Sequence, residues 1–360
     1  MRRLTLKWDR NNREIAQAID SFERRRYVAR QLVPPGYERH FQDQARFLSV
    51  HTSTAIEGNV LDEREAQLVM IHGSSGQPNE QEAKNCEDAY VLLQELAADP
   101  HLQIDQGLIR VLNSIMQKDL PGEEASERGK YRTTGCIIQD SATREIRYQA
   151  PPPEWIPSLM DSLVEDLRSW RDVDHPLVAA AKVHFALISI HPFRDGNGRT
   201  ARLLEDLVLW MGGMAADGMV SVNGNLLSRR QEYYDKLRSV QGREFQESVD
   251  ITEFILFTVQ MLNEAVNRLE AKAIDFCKRK DNLEKISEGM LDPRQVVGIM
   301  YMLDLEPVST AVYARLNRCS IPTARSDLKR LLSIGFIQRV GDGKQTRYAW
   351  LPPSPESEVA

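Results

Sequence analysis

Apolar residues recur along most of the chain at spacings of three and four, the period that places them on one face of an α-helix. Alternation of the kind seen in strands is confined to a few short segments. The pattern therefore predicts a mainly α-helical protein. Outside the C-terminal region it predicts helices over residues 12–32, 38–55, 79–97, 105–116, 154–170, 176–190, 198–211, 229–241 and 251–286.

Two regions depart from this helical pattern. Residues 133–148 hold two apolar segments around a polar centre and predict a β-hairpin, which a run of three prolines ends. The C-terminal region predicts three helices followed by two strands, which is the pattern of a winged helix-turn-helix domain. Its helices are predicted over residues 293–302, 309–316 and 321–334, and its strands over 337–340 and 346–350.

A chain of 360 residues is too long for one ordinary hydrophobic core. The patterns divide it into an N-terminal helical region, a central helical domain, a linking helix, the winged-helix domain and a tail whose proline, serine and glutamate content predicts disorder. These segments are residues 1–78, 79–262, 263–290, 291–351 and 352–360.

Charge and composition narrow the class of protein. The net charge is −6, yet residues 291–350 hold nine Lys/Arg against five Asp/Glu, so a nucleic-acid surface is expected only there. The four cysteines form no CxxC pair, which favours free thiols in a reducing compartment. The N-terminus lacks the apolar core of a signal peptide, and Lys182 and His184 interrupt the longest apolar stretch. We therefore expect a cytoplasmic protein that does not contact a membrane.

The segment with the clearest chemistry, residues 190–202, reads IHPFRDGNGRTAR. A buried helix ends at His191, because the proline that follows cannot continue it. Two glycines let the backbone approach a ligand, and the first N–H groups of the next helix form an anion site. Asp195 offers a carboxylate to a hard cation, and Arg199 and Arg202 lie one turn apart. A base, a carboxylate, an anion site and two arginines are what phosphoryl chemistry needs.

The string H-P-F-x-[D/E]-G-N-G-R, followed by x-x-R, resembles the signature of the Fic family. The resemblance extends over residues 34–262. It implies a Fic-type helical bundle with a β-hairpin flap, in which residues 79–262 form the catalytic domain. It also implies an enzyme, a protein adenylyltransferase that moves AMP from ATP to a Ser, Thr or Tyr hydroxyl of a target protein with Mg²⁺ or Mn²⁺. Self-modification and a homodimer stay open.

The resemblance also implies a role for individual residues. His191 is similar to the general base that deprotonates the target hydroxyl, and Asp195 to the Mg²⁺ ligand. The positions implied to bind ATP are Glu57, Gly196, Asn197, Gly198, Arg199, Thr200, Ala201, Arg202, Tyr233 and Gln241. Tyr233 and Gln241 lie on the helix after the motif, where an aromatic residue is as often part of the hydrophobic core.

Two flanking segments fit the same family. Gly135, Cys136, Ile137 and Ile138 resemble the flap strand that pairs with the target segment, although an ordinary surface hairpin would show the same pattern.

The second flanking segment runs from Ser53 to Gly58 and on its own would be a helix end with a solvated glutamate. Beside the motif it resembles the inhibitory [S/T]-x-x-x-E-[G/N] element of the N-terminal-inhibited class. In that class the glutamate, here Glu57, pairs with the second motif arginine, here Arg202, and occupies the place of the ATP γ-phosphate.

Two other functions stay open beside AMP transfer. A Fic enzyme could use another donor or remove AMP, although the intact motif arginines favour a triphosphate donor. A winged-helix DNA-binding regulator could use the Fic body as a sensor. Arg325 and Lys329, one turn apart on the second helix of the predicted helix-turn-helix, and Lys344 and Arg347 near the wing suit phosphate contacts. Winged helices equally serve as protein-docking modules.

Overall fold

The computed structural model describes residues 2–122, 126–139, 144–305, 307–343 and 346–351. Within these ranges the chain is mainly helical, as predicted. The helices are α1 Arg13–Leu32, α2 Glu38–Ile56, α3 Glu63–His72, α4 Pro78–Ala97, α5 Gln106–Met116, α6 Ile156–Val173, α7 Pro176–Ile190, α8 Asn197–Met211, α9 Asn223–Leu226, α10 Arg230–Gln241, α11 Thr252–Ile286, α12 Pro293–Leu305, α13 Thr310–Leu316 and α14 Ile321–Ser333. The strands are β1 Thr5–Lys7, β2 Ile137–Gln139, β3 Ile146–Gln149, β4 Ser248–Asp250, β5 Ile337–Val340 and β6 Arg347–Trp350.

The predicted helices and the predicted hairpin are confirmed, whereas α3, α9 and the β1–β4 pair were missed. Strand β1 pairs with β4 in parallel, from Thr5 opposite Ser248 to Lys7 opposite Asp250. Each of these strands has three residues, so the alternation of apolar and polar positions is too short to stand out. Their partners also lie far apart along the chain, which no local pattern reveals.

The chain forms two compact units. The first comprises the described residues of Met1–Gln31, Gln42–Met70 and Ser74–Glu270. At its centre is α7, in which every residue from Leu177 to Ile190 is buried. Helix α7 packs along α8, and α4 and α5 also pack against α8. A helix that is buried on every face needs other elements around it, so α7 lies in the core of this unit.

The second unit comprises the described residues of Leu32–Phe41, Ile71–Gly73 and Ala271–Ala360. Helices α12, α13 and α14 are followed by the antiparallel pair β5–β6. Ser309 and Ser320 cap α13 and α14 by accepting hydrogen bonds from Val312 and Thr323. The predicted order of three helices and a hairpin is therefore present. Its identity as a winged-helix domain stays a prediction, and the predicted disordered tail, 352–360, lies outside the described residues.

Across the described ranges, no helix combines the length and the apolar composition that a bilayer crossing requires.

Candidate active site

Helix α7 delivers His191 to the start of the motif loop. The His191 N–H donates to the Leu187 carbonyl at 2.9 Å, and the residue closes the helix in the left-handed region, with φ 50° and ψ 57°. Its ring Nδ1 lies 3.3 Å from the Ile188 carbonyl oxygen. A carbonyl can only accept, so the ring hydrogen is on Nδ1 and Nε2 keeps the lone pair that a base needs.

The imidazole of His191 is neutral at physiological pH. Burial lowers its pKa to about 4, and the positive charge of Arg132 acts in the same direction. The Ile188 carbonyl and the carboxylates of Glu57 and Asp195 oppose this shift without cancelling it. Since a neutral ring can accept a proton, His191 is in the protonation state that a general base requires.

The loop after His191 is held tightly. Gly196 has φ 78°, and a Cβ atom at this position would clash with the side-chain amides of Gln117 and Asn113. Only glycine fits there. Asn197 closes the loop, because its Oδ1 accepts from the Phe193 N–H and its Nδ2 donates to the Phe193 carbonyl, both at 2.9 Å. The Asn197 side chain thus shapes the loop, and its contact with a nucleotide stays a prediction.

Two buried amides at the end of α5 support this loop from behind. Asn113 donates to the Asp195 carbonyl at 2.9 Å. The Gln117 amide oxygen, turned toward the loop, accepts from the Gly196 N–H at 3.1 Å and from Nη2 of Arg199 at 3.2 Å. Neither residue was predicted from the sequence, because a single Asn or Gln on a distant helix belongs to no recognisable motif.

The two motif arginines are buried, with side-chain exposures of 4% for Arg199 and 1% for Arg202. Nη1 of Arg199 lies 2.6 Å from Oε1 of Glu82, a residue that was also not predicted from the sequence. Arg202 donates to the hydroxyl of Ser53 at 3.0 Å, to the Ser53 carbonyl at 2.9 Å and to Oε1 of Glu57 at 2.7 Å. The structure therefore brings Ser53 and Glu57 against Arg202.

The Glu57 carboxylate also contacts the first turn of α8. A Cβ atom on Gly198 would lie only 2.2 Å from Oε1 of Glu57, so the carboxylate lies where the helix N-terminus attracts an anion. Burial would raise the pKa of Glu57, but the charge and the hydrogen bond of Arg202 outweigh burial and lower it. Gly58, with φ 106°, lies two residues after the end of α2. An ionised protein carboxylate thus covers the predicted phosphate site.

The same segment reaches Arg199 indirectly through Asn59. The Nδ2 atom of Asn59 donates to Oε2 of Glu82 at 2.7 Å and to the Asn79 carbonyl at 2.9 Å. Glu82 in turn pairs with Arg199. The residues that follow Glu57 are therefore anchored to α4 and, through Glu82, to the first motif arginine.

The hairpin β2–β3 holds part of the predicted flap strand. Ile137 and Ile138 lie in β2, whereas Gly135 and Cys136 precede it. The Cys136 carbonyl still accepts from the Ala150 N–H at 3.1 Å, so pairing continues beyond the strand. Ile137 is 51% exposed, which leaves an apolar side chain open to a partner. Of the turn predicted between the strands over residues 140–144, residues 140–143 lie outside the described residues.

The remaining positions that the resemblance assigns to ATP are buried: Thr200, Ala201, Tyr233 and Gln241. The Tyr233 hydroxyl lies 3.0 Å from Nε2 of His184, and Gln241 donates to the Ser189 hydroxyl at 3.1 Å. Both side chains thus belong to a polar network within the core, which is the alternative that the sequence left open. Their contacts with a nucleotide stay predictions.

Asp195 is the candidate metal ligand. Its side chain is 59% exposed, and Oδ1 accepts from the Gly196 N–H at 2.6 Å. Within the described residues no cluster of three or more His, Cys, Asp or Glu side chains could hold a metal ion. Mg²⁺ commonly takes one or two carboxylates and completes its shell with substrate phosphates and water. Asp195 therefore fits an Mg²⁺ ion that a nucleotide brings with it.

Comparisons with known proteins match this geometry. The model of the Fic/DOC family matches residues 103–209, which include the whole motif. A curated Fido domain-containing protein of Dictyostelium discoideum is 34% identical over 115 residues, which cover 29% of this chain and 80% of that protein. The protein adenylyltransferase Fic of Nematostella vectensis is 27% identical over 240 residues, which cover 62% of this chain and 48% of that protein. The chain thus spans about half of the length of this curated adenylyltransferase.

A solved structure shares the fold. The crystal structure of a Fic family protein from Desulfovibrio desulfuricans G20 superposes with a TM-score of 0.57 at 24% sequence identity, covering 95% of this chain and 97% of that chain. The motif, the fold and the Dictyostelium relative agree, and this chain belongs to the Fic/DOC family.

Proposed function

We propose that this protein is a protein adenylyltransferase, which transfers AMP from ATP to a Ser, Thr or Tyr hydroxyl of a target protein. One observation carries the proposal. A neutral His191, with Nε2 free to accept a proton, lies one rigid loop away from a helix N-terminus beside two buried arginines. Curated relatives named protein adenylyltransferase support it, although the chain spans half of their length or less.

In the proposed reaction the target hydroxyl loses its proton to Nε2 of His191 as its oxygen attacks the α-phosphorus. The bond between that phosphorus and the oxygen bridging to the β-phosphate breaks, and pyrophosphate leaves. The first turn of α8, with Arg199 and Arg202, binds the phosphates and stabilises the charge that develops on them. Mg²⁺ held by Asp195 would supply further neutralisation of phosphate charge. The flap would align the target segment by strand pairing.

We also propose that the protein restrains itself through Glu57. The Glu57 carboxylate already pairs with Arg202 and contacts the first turn of α8, where a phosphate would bind. ATP can bind productively only after this carboxylate leaves. Wild-type protein should therefore transfer AMP slowly, and loss of Glu57 should raise the rate.

Isotope labelling tests the reaction. Full-length protein, wild type and Glu57→Gly, is incubated with Mg²⁺ and either α-³²P-ATP or γ-³²P-ATP, alone and with a cell lysate. The protein should add label only from α-³²P-ATP, because the γ-phosphate leaves within pyrophosphate. Label from γ-³²P-ATP on the protein alone, or above the background of the lysate's own kinases, would indicate a kinase and contradict the proposal. A panel of other nucleotides and phosphocholine donors, together with release of AMP from labelled protein, tests the alternative donor and the reverse reaction.

A second candidate function concerns the C-terminal unit, for which we propose a winged helix-turn-helix that binds DNA. Arg325 and Lys329 are exposed one turn apart on α14, and neither forms an ion pair with a described residue. The acidic residue of the same helix, Asp327, is buried and paired with Arg294 at 2.5 and 2.9 Å. The outward face of α14 is therefore basic without a compensating carboxylate, as contacts with DNA phosphates require.

Salt dependence tests DNA binding. The affinity of the full chain for duplex DNA, measured by fluorescence anisotropy, should fall steeply as salt rises. Arg325→Gln and Lys329→Gln should each lower the slope of log affinity against log salt by about 1. Arg279→Gln, which lies on α11 and pairs with Asp304, is the control and should leave the slope unchanged. Absence of salt-dependent binding would contradict DNA binding and favour a protein-docking role.

A further inference from the structure

A single buried arginine, Arg132, joins the catalytic loop to the flap. It is 7% exposed and precedes β2. Its backbone N–H donates to the Pro192 carbonyl at 2.9 Å, and its Nε to the His191 carbonyl at 2.8 Å. Its Nη1 donates to the Thr134 carbonyl at 2.8 Å, and its Nη2 to the Pro151 carbonyl at 2.6 Å. Two of these acceptors belong to the motif loop, and the other two flank the hairpin on either side.

The partners of Arg132 are unusual for a buried cation. All four acceptors are backbone carbonyls, and no described carboxylate forms an ion pair with it. A guanidinium buried without a carboxylate is costly unless its hydrogen bonds are well made. Arg132 fixes the relative positions of its carbonyl partners, because the planar guanidinium presents several donors in fixed directions.

The hydrogen bonds of Arg132 hold the backbone of His191, the candidate base. His191 has left-handed backbone angles, which a histidine rarely adopts. Its N–H is bound to Leu187 on one side, and its carbonyl is bound to Arg132 on the other. With both peptide groups of His191 held, the direction in which its side chain leaves the backbone is fixed.

The same side chain also acts on the flap. Thr134 and Pro151, which it binds, are the residues from which the hairpin emerges on each side. A second contact supports this junction, because Tyr131 pairs with Phe193 in an antiparallel bridge. One guanidinium thus fixes the distance between the backbone of His191 and the residues at the base of the flap, Thr134 and Pro151.

We propose that Arg132 is a positioning residue for AMP transfer, which places His191 against the flap so that the base and the target hydroxyl meet. This inference rests on the proposed adenylyltransferase function. It adds no group that touches ATP, because the side-chain hydrogen bonds of Arg132 all go to backbone carbonyls outside α8. Loss of Arg132 should therefore lower the transfer rate and leave ATP affinity unchanged.

The experiment compares substitutions at Arg132 in the Glu57→Gly background. Arg132→Lys keeps the charge, but one ammonium cannot span three carbonyls in the directions of the guanidinium. Arg132→Met removes charge and donors together. Arg128→Lys is the matched control, because Arg128 lies in the same segment and pairs only with Asp119, at 3.2 Å, among the described residues. A misplaced base costs roughly 10²-fold, so both Arg132 variants should lose about 10- to 100-fold in kcat with unchanged ATP affinity by calorimetry.

Two further readouts separate positioning from loss of fold. Because the charge of Arg132 lowers the pKa of His191, NMR titration should show a higher His191 pKa in Arg132→Met and an unchanged one in Arg132→Lys. Of the two carboxylates that face His191, Glu57 is replaced by Gly in both variants and Asp195 is present in both, so the comparison isolates residue 132. In both Arg132 variants, amide hydrogen exchange should accelerate in the motif loop and at the base of the flap together. Exchange in the rest of the first unit should be unaffected.

The inference would be overturned if Arg132→Lys kept the kcat of the Glu57→Gly parent. It would also be overturned if amide exchange became faster in the flap and stayed unchanged in the motif loop. Absence of any AMP transfer by Glu57→Gly itself would instead contradict the proposed function. The exchange and titration measurements would still decide whether Arg132 positions His191, because neither depends on activity.

Discussion

Glu57→Gly is the substitution from which the structure predicts the largest gain of activity. It removes the carboxylate that pairs with Arg202 at 2.7 Å and contacts the first turn of α8. Ser53 would keep its two contacts with Arg202, through its hydroxyl and its carbonyl. The substitution therefore frees the anion site without leaving the buried guanidinium entirely without partners.

The size of the effect follows from the exposure of the pair. A hydrogen bond between charged groups contributes about 1.5–3 kcal/mol. The Glu57 side chain is 34% exposed, and solvent screening places this pair near the lower end of that range, at about 1.5–2 kcal/mol. Since 1.4 kcal/mol is a factor of ten, self-modification with α-³²P-ATP should rise roughly 10- to 30-fold. The unfolding midpoint should fall by only a few degrees, because about 1 kcal/mol shifts Tm by roughly 2–4 °C in domains of this size.

Two variants serve as controls in the same autoradiography assay. Glu57→Gln keeps the size of the side chain and loses its charge, so it should give a smaller rise. Arg202→Ala should give no rise, because it frees the site and also removes the phosphate partner. Equal labelling of wild type and Glu57→Gly at ATP concentrations below saturation, or strong labelling of Arg202→Ala, would refute the restraint.

The remaining predictions concern the base, the metal and the anchor of the restraint, and the first three are measured in the Glu57→Gly background. His191→Ala should lower AMP transfer by about 10²–10⁴-fold and leave ATP affinity by calorimetry nearly unchanged; transfer at the parent rate would exclude His191 as the base. The pH–rate profile should lose activity only at or below about pH 4, because burial lowers the His191 pKa to about 4, loss of the Glu57 charge lowers it further, and the active form is the neutral ring; the same loss of activity at low pH in His191→Ala would show that another group causes it. Asp195→Ala should weaken both the rate and its dependence on Mg²⁺, whereas full activity in excess chelator would contradict a metal role. Asn59→Ala in otherwise wild-type protein loses the bonds to Glu82 and to the Asn79 carbonyl, so transfer should rise severalfold; a rate below wild type would show that this anchor supports activity.

The motif could be predicted from the sequence because its functional residues lie within one short segment of the chain. His191, Asp195, Arg199 and Arg202 are placed by one helix end, one loop and one helix start, so their spacing alone implies their proximity. Glu57 was predicted to face Arg202 only through family resemblance, because 145 residues separate the two and no local pattern links them.

The residues that support the site escaped prediction for the same reason. Asn113, Gln117 and Glu82 reach the motif from α4 and α5, and each is a common residue type on an amphipathic helix. Arg132 lies within residues 129–135, which together with the hairpin after them resemble the flap of the family, and the resemblance gives Arg132 no role of its own. Its function depends on carbonyls of the motif loop, Thr134 and Pro151, which side-chain patterns do not report.

The most direct test of AMP transfer by His191 is mass spectrometry of protein incubated with ATP and Mg²⁺. It compares Glu57→Gly with the double variant Glu57→Gly/His191→Ala, each alone and with lysate. The proposed function predicts the mass of one or more AMP groups on Ser, Thr or Tyr of the first variant or of a lysate protein, and none with the second. AMP on protein treated with the double variant, or its absence with both while both bind ATP, would contradict it.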